Sequence, residues 1–226
     1  MKALIIIPAF NESAMIGSVI DGLPTKLKGV SRLDYLVIDD GSADNTFQVA
    51  SKTKAKVLRH MINRGAGAAT RTGLEYARKN AYDIIVSFDA DGQHNPSDIQ
   101  KLIDPILKKE ADLVIGSRLK DHPKMPVDRF LINWAANIMT LLMYGVFSTD
   151  SQSGLKAFSK QAVSKIEINS NRMEFSSEIL LEAKRNKLKV VEVPVSAIYT
   201  KYSKTKGQKN INALPVALRI ITKFLR

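Results

Sequence analysis

Two carboxylates stand one residue apart in Ser87-Phe88-Asp89-Ala90-Asp91-Gly92-Gln93, directly behind the apolar run Ile84-Ile85-Val86. In an extended backbone, residues i and i+2 project to the same side, so Asp89 and Asp91 can face a single ion while Gly92 lets the chain turn away. Hard oxygen ligands of this kind suit Mg²⁺ or Mn²⁺, with waters and substrate phosphates filling the remaining positions. The chemistry this predicts is the handling of a phosphate-bearing substrate at a divalent metal. Asp is also a common turn and capping residue, and a helix is expected to begin near Pro96, so on these two residues alone a capping role is the competing reading.

A pair like this needs a strand to hold it. Apolar runs bounded by turn residues fall at 3–7, 34–39, 56–60, 83–88, 112–116 and 190–195, with helix-like stretches between most of them. The alternation predicts an α/β fold with a mostly parallel central sheet and helices on both faces. Ligands of such sheets sit beyond the carboxyl ends of the strands. Here those ends are polar: Pro8-Ala9-Phe10-Asn11-Glu12, Asp39-Asp40-Gly41-Ser42, the Asp89 and Asp91 pair, and Gly116-Ser117-Arg118. Four polar ends on one rim point to one site. Gly65-Ala66-Gly67-Ala68-Ala69-Thr70 partly matches a dinucleotide-binding fingerprint, but the third glycine is missing and the segment follows the third strand. Two uses remain for it: a helix start offering N–H groups to an anion, with Arg64 beside it, or close helix packing through small residues.

Composition narrows the setting. With 226 residues, 45% hydrophobic and 25% charged, the chain can bury a full core. Zero cysteines exclude disulfides and thiolate metal sites, and the three histidines, at 60, 94 and 122, lack zinc-ligand spacing. The opening Met1-Lys2 runs straight into a strand-like segment that stops at Pro8, which does not read as a signal peptide, and no run is long enough to span a membrane. An intracellular setting is expected. Of the net charge of +12, residues 184–226 hold most, with eleven Lys or Arg against one acid, Glu192. Such a tail suits a polyanionic surface. It lacks the interleaved aromatics and motifs of a nucleic-acid binder, so no nucleic-acid partner is expected.

Taken in order, Pro8-Ala9-Phe10-Asn11-Glu12, Asp39-Asp40-Gly41-Ser42, Asp89-Ala90-Asp91-Gly92-Gln93-His94 and Asp150-Ser151-Gln152-Ser153-Gly154-Leu155-Lys156 closely resemble the motifs of family 2 glycosyltransferases. Within them the chain looks most like the branch of dolichyl-phosphate mannose synthases and polyprenyl-phosphate glucosyltransferases, over about residues 3 to 215. The resemblance implies a Rossmann-like GT-A glycosyltransferase fold, with 1–200 as the catalytic domain and 201–226 as a basic loop and amphipathic C-terminal helix. It also implies that Pro8, Ala9, Phe10, Asn11, Glu12 and Asp40 line the donor's base and ribose, with Asp39 in support. Asp89, Asp91 and Gln93 match the positions that hold a metal bridging the donor diphosphate. Lys206, in the basic stretch 201–209, matches a loop that closes over the phosphates.

The implied reaction is an inverting, metal-dependent transfer. A hexose, mannose or glucose, would pass from GDP-mannose or UDP-glucose to a dolichyl or undecaprenyl phosphate, with Mg²⁺ or Mn²⁺ as cofactor. A phosphate monoester, with a second pKa of about 6, is largely ionised at neutral pH and needs cations to place it more than a base. Arg118 and Arg129 match the acceptor-phosphate arginines of that branch, and Asn133 stands where a serine is common. Asp91, Asp150, Arg118 and Arg129 are the expected catalytic group, with Asp150 orienting a neighbour or serving as base for a different acceptor. The alternative is a soluble family 2 enzyme acting on a glycan or protein hydroxyl. The stretch from Phe130 to Tyr144 is apolar with a narrow polar seam of Asn133, Asn137 and Thr140, which fits either a membrane-interface helix or a packed core helix. With the basic tail, it places the expected protein peripherally on the cytoplasmic membrane face.

Overall fold

In a computed structural model the described residues are 1–120 and 127–198, without the side chains of 127–129. The elements run β1 (Lys2–Ala9), α1 (Ile16–Gly22), β2 (Arg32–Asp39), α2 (Thr46–Ala50), β3 (Lys56–Arg59), α3 (Ala66–Lys79), β4 (Ile84–Ser87), α4 (Ile99–Leu107), β5 (Leu113–Ser117), α5 (Val127–Tyr144), β6 (Lys156–Ser159), α6 (Lys160–Lys165), α7 (Phe175–Arg185) and β7 (Val190–Pro194). All six expected strands form, within two residues of their expected ends. The expected appendage at 201–226, including Lys206, lies outside the described residues.

The seven strands make one sheet in the order β3-β2-β1-β4-β6-β5-β7. β1 is central and parallel to both β2 and β4, with Ile5 opposite Tyr35 on one side and Val86 on the other. Because β1 is covered on both faces, its residues read as a continuous apolar run rather than an alternating one. Alternate residues feed two cores. Ala3, Ile5 and Ile7 join Ile16 and Ile20 of α1 and Ile99, Leu102 and Ile103 of α4 on one face. Leu4 and Ile6 join Leu74 and Ala77 of α3, Val163 of α6 and Ile179 and Leu180 of α7 on the other. The expected fold, a mostly parallel sheet between helical layers, is the observed one.

One strand was not anticipated. β6 lies between β4 and β5 and runs antiparallel to both. It is four residues long and opens with a lysine, so it carries no strand-like apolar pattern. Its insertion brings the segment 150–156 between the ends of β4 and β5, beside Asp89 and Arg118.

Candidate active site

The carboxyl ends of β1, β2, β4 and β5 share one rim. At β1, Asn11 takes a left-handed conformation (φ 54°) and ties its loop to the next one: its N–H donates to Ser42 Oγ at 2.9 Å, and its side-chain oxygen accepts from Ala43 N at 2.9 Å. The N–H of Glu12 donates to Thr46 Oγ1 at 2.7 Å, and Phe10 between them in the chain is half-exposed. Pro8 and Ala9 close β1, with Ala9 O accepting from Asp40 N at 2.8 Å. The expected donor loop is thus fastened through Ala9, Asn11 and Glu12 to the segment between β2 and the start of α2.

The two acids of the β2 loop are buried and turned inward. Asp39 accepts from Ser42 N at 3.2 Å and pairs with Arg59 Nε at 3.0 Å. Asp40 gathers the loop after β3: His60 Nδ1 lies at 2.6 Å, Asn63 Nδ2 at 3.0 Å, and the N–H groups of Arg64 and Gly65 donate at 3.0 and 2.6 Å. The sequence offered two uses for the Gly65 segment, and the structure combines them around an internal anion, the Asp40 carboxylate. Gly65 has φ 99°, and a Cβ there would stand 2.3 Å from Asn171 O, so only glycine fits.

Beyond β4, Asp89 and Asp91 both reach the rim. Asp89 Oδ2 lies 2.8 Å from Nε2 of buried His94, whose ring meets Phe88 edge-on. The Asp89 carboxylate also lies against Gly154, where a Cβ would come within 2.1 Å of Oδ2. Asp91 accepts from its own loop, from Gln93 N at 3.0 Å and from Gln93 Nε2. Burial pushes the Asp89 carboxyl up, but the hydrogen bond and charge of His94, with Arg118 and Lys156, outweigh it and hold its pKa below the ordinary value. Asp91 is pushed the other way, upward, by burial and then by the negative charge of Asp89. Two carboxylates repelling each other on a rim are a site that a cation relieves. The donor set of two carboxylates and one amide is all hard oxygen, which fits Mg²⁺ or Mn²⁺. Among the described residues no group of three or more His, Cys, Asp or Glu forms a metal cluster, so such an ion would need substrate phosphates or waters to complete its shell.

The β5 end carries Arg118, and here the structure is most specific. Asp150, fully buried, accepts from Arg118 Nε and a terminal nitrogen at 2.8 Å each and from Arg118 N at 3.0 Å. Burial raises the Asp150 pKa, and the charge and hydrogen bonds of Arg118, with Lys156, lower it by more. The loop holding Asp150 is itself anchored twice. Glu192 of β7 accepts from Ser148 Oγ at 2.7 Å and Thr149 N at 2.9 Å. Asn137 of α5 brackets Asp150 from both sides, donating to Thr149 O at 2.7 Å and accepting from Ser151 N at 2.9 Å. Asn133 is half-buried on the same side of α5. Arg129 lies in α5, but its side chain falls outside the described residues.

Two site residues were quoted in the motifs without being assigned a role. His94 fixes Asp89, and its signal was the position directly after the Asp-x-Asp-Gly-Gln run. Lys156 is fully buried, donates to Ser153 O and feels both Asp150 and Asp89. Burial lowers its pKa to about 8, against the raising effect of those two acids. A lysine inside the apolar stretch Leu155-Lys156-Ala157-Phe158 was the available clue.

The sheet order, the polar rim and the acidic pair beyond β4 define a GT-A-type glycosyltransferase. The family model of glycosyl transferase family 2 matches residues 4–166, and the chain belongs to that family. Among its relatives is the UDP-N-acetylglucosamine–dolichyl-phosphate N-acetylglucosaminyltransferase of Methanococcus voltae, 38% identical over 96% of this chain and 94% of that protein. Another is the undecaprenyl-phosphate mannosyltransferase of Micrococcus luteus, 31% identical over 91% of this chain and 87% of that protein. The fold is also that of glucosyl-3-phosphoglycerate synthase from Mycobacterium tuberculosis, solved with Mn²⁺, UDP-glucose and phosphoglyceric acid (TM-score 0.69, 22% identity, 97% of this chain and 79% of that one).

Proposed function

We propose that this glycosyltransferase moves a sugar from a nucleoside-diphosphate donor to a polyprenyl phosphate, with inversion, as a peripheral protein on the cytoplasmic membrane face. Residues 1–200 are its catalytic unit, and 201–226 its basic loop and amphipathic helix. The observation that carries the acceptor is the engagement of Asp150: both its oxygens are spent on Arg118, so its evident task is to hold a guanidinium at the rim. An acceptor already ionised needs such a cation and no base. The relatives named for dolichyl and undecaprenyl phosphates support the same acceptor. Their donors also widen the sugar beyond mannose and glucose to N-acetylglucosamine.

In this reading Pro8, Phe10 and Glu12 face the nucleoside, and Asp39 and Asp40 act by shaping the loops that wall it. Asp89, Asp91 and Gln93 hold the divalent ion, which when bound offsets the charge of the departing diphosphate. His94 keeps Asp89 in place. Arg118, with Arg129 and Asn133, positions the acceptor phosphate, and Lys156 places a buried positive charge between the two halves of the site. Lys206 closes on the donor phosphates.

A second reading has its own observation. One solved fold neighbour is a glucosyl-3-phosphoglycerate synthase with phosphoglyceric acid bound, which suits a soluble enzyme acting on a hydroxyl. Nucleoside diphosphate release separates the two. UDP-N-acetylglucosamine, UDP-glucose and GDP-mannose are each assayed with Mn²⁺ or Mg²⁺, with and without a short polyprenyl phosphate. Release that requires the lipid phosphate supports the proposal. Donor binding with no lipid-dependent release hands the acceptor to a hydroxyl compound.

A further inference from the structure

One turn joins the two phosphate positions of the proposed reaction. Arg118, assigned to the acceptor phosphate, is held by Asp150, and Asp89, assigned to the metal, lies against Gly154. Between them Ser153 N donates to Asp150 O at 3.2 Å, which closes a turn with Ser151 and Gln152 at its corners. From Asp150 to Lys156 every side chain is buried except that of Gln152.

What holds Gln152 also decides which end of its amide is free. Its Nε2 lies 3.0 Å from Ser177 Oγ of α7 and 3.2 Å from Ser151 Oγ. Ser177 Oγ lies 2.9 Å from Thr140 Oγ1 of α5, which donates to Ala136 O at 2.9 Å. A backbone carbonyl only accepts, so the Thr140 proton goes to Ala136 and the Ser177 proton to Thr140. Ser177 is then left to accept from the amide nitrogen of Gln152, which assigns nitrogen and oxygen in that side chain. Among the described residues the Gln152 carbonyl oxygen has no partner.

We propose that Gln152 is a sugar-specificity residue, its carbonyl oxygen accepting a hydrogen bond from one O–H, or an acetamido N–H, of the hexose in transit. Inversion in one displacement puts the attacking and departing phosphates on opposite faces of C1. The sugar ring therefore lies beside whatever joins the two phosphate positions. Here that is the 150–154 turn, and Gln152 supplies its one partly exposed side chain. A hexose carries several polar hydrogens, and a fixed acceptor favours the sugar that brings one to it over the sugar that leaves it unpaired. The inference rests on the positions proposed above for the metal and the acceptor phosphate.

Donor binding without an acceptor provides the test. With Mn²⁺ present, UDP-glucose, UDP-N-acetylglucosamine and GDP-mannose are titrated calorimetrically into the full chain and its Gln152→Leu variant, with UDP and GDP as sugar-free references. The tightest donor is then replaced by analogues that each lack one hydroxyl or the acetamido group. Gln152→Leu should bind UDP and GDP as the wild type does, and the tightest donor about five- to tenfold more weakly. One analogue should bind the wild type more weakly by a similar factor, yet bind Gln152→Leu as well as its parent donor does, because the two changes remove the same contact. Gln152→Glu keeps an oxygen at the same reach, so it should still tell that analogue from its parent. Losses equal for every donor and for UDP or GDP would reduce Gln152 to a support of the turn and overturn the inference. So would analogue penalties in Gln152→Leu that match the wild type at every position. Lipid-dependent release of nucleoside diphosphate reports on the acceptor separately. Its absence from the wild type removes the lipid phosphate and keeps a sugar contact that the analogues have located, whereas release with unaltered analogue penalties does the opposite.

Discussion

The rim has two halves, built on different principles. On the β1–β2–β3 side the acids face inward: Asp39 and Asp40 are buried among Arg59, His60, Asn63 and backbone N–H groups, and their work is to fix loops. On the β5–β6–β7 side the buried acid instead presents a cation, because Asp150 holds the partly buried Arg118 at the rim while Glu192 and Asn137 hold the Asp150 loop. Asp89 and Asp91 stand at the seam, their carboxylates at odds with each other. One half is a rigid wall and the other an aimed charge. That difference suits a donor that must be gripped and an acceptor that must be steered.

The seam should give the largest effect. Asp89→Ala removes a carboxylate from the proposed metal site and leaves His94 without its partner, and turnover should fall by about 10³-fold. Isothermal titration with Mn²⁺ in the presence of donor should show the metal response lost, while retained metal-dependent donor binding would detach Asp89 from the ion. Next come the halves themselves. Asp150→Asn takes the paired carboxylate from partly buried Arg118 and the first of two acidic neighbours from buried Lys156, and should cost about 3–5 kcal/mol of stability. Asp40→Asn weakens charge-assisted hydrogen bonds in the loop and should cost about 1.5–3 kcal/mol. Urea melts of both variants rank them, and kinetics should assign the Asp40 variant a raised KM for donor and the Asp150 variant a raised KM for acceptor. Equal effects on both substrates would erase the two-half description.

The two halves also differed in how well they could be read from sequence. The wall half is local: apolar runs ending in Asp or Pro announce strands and rim together, and the i, i+2 spacing of Asp89 and Asp91 announces the seam. The inward turn of Asp40 was hidden because its partners lie some twenty or more residues on, in the loop after β3, and two of the four are backbone N–H groups, which carry no sequence signature. The other half depends on long-range pairing. β6 is too short and too polar at its start to register as a strand, and only its pairing with β4 and β5 explains why Lys156 is buried. In α5 the two faces were visible from helical spacing, but spacing cannot say which face meets the protein. The hydrogen bonds of Asn137 and Thr140 decide it.

Lys156 joins the halves and provides a pH test. Its folded pKa, about 8, lies below the ordinary lysine value of 10.5, so above pH 8 the native state sheds a proton that the unfolded chain keeps. Stability of the metal-free protein should therefore rise with pH between about 8 and 10.5, by about 3 kcal/mol at most. Lys156→Met should lose that rise, so the difference between the wild-type and variant stability curves should carry it. A difference curve flat across this window would mean that Lys156 keeps its proton in both states, with Asp150 and Asp89 compensating its burial fully.

The smallest expected effect is the most local to the second half. Asn137→Ala removes the side chain that donates to Thr149 O and accepts from Ser151 N, leaving two backbone groups beside Asp150 to find other partners. A stability loss of about 1–3 kcal/mol is expected. If the acceptor half is an aimed charge, this substitution should raise KM for the acceptor while leaving donor KM unchanged, because the loop it releases sets the direction of Arg118 and touches nothing on the β1–β2–β3 side. Asn137→Asp separates steering from stability. Its carboxylate can still accept from Ser151 N but meets Thr149 O without a proton to donate, so it should restore only half of the bracket. Acceptor KM that recovers fully in this variant would mean that the Ser151 contact alone aims the arginine.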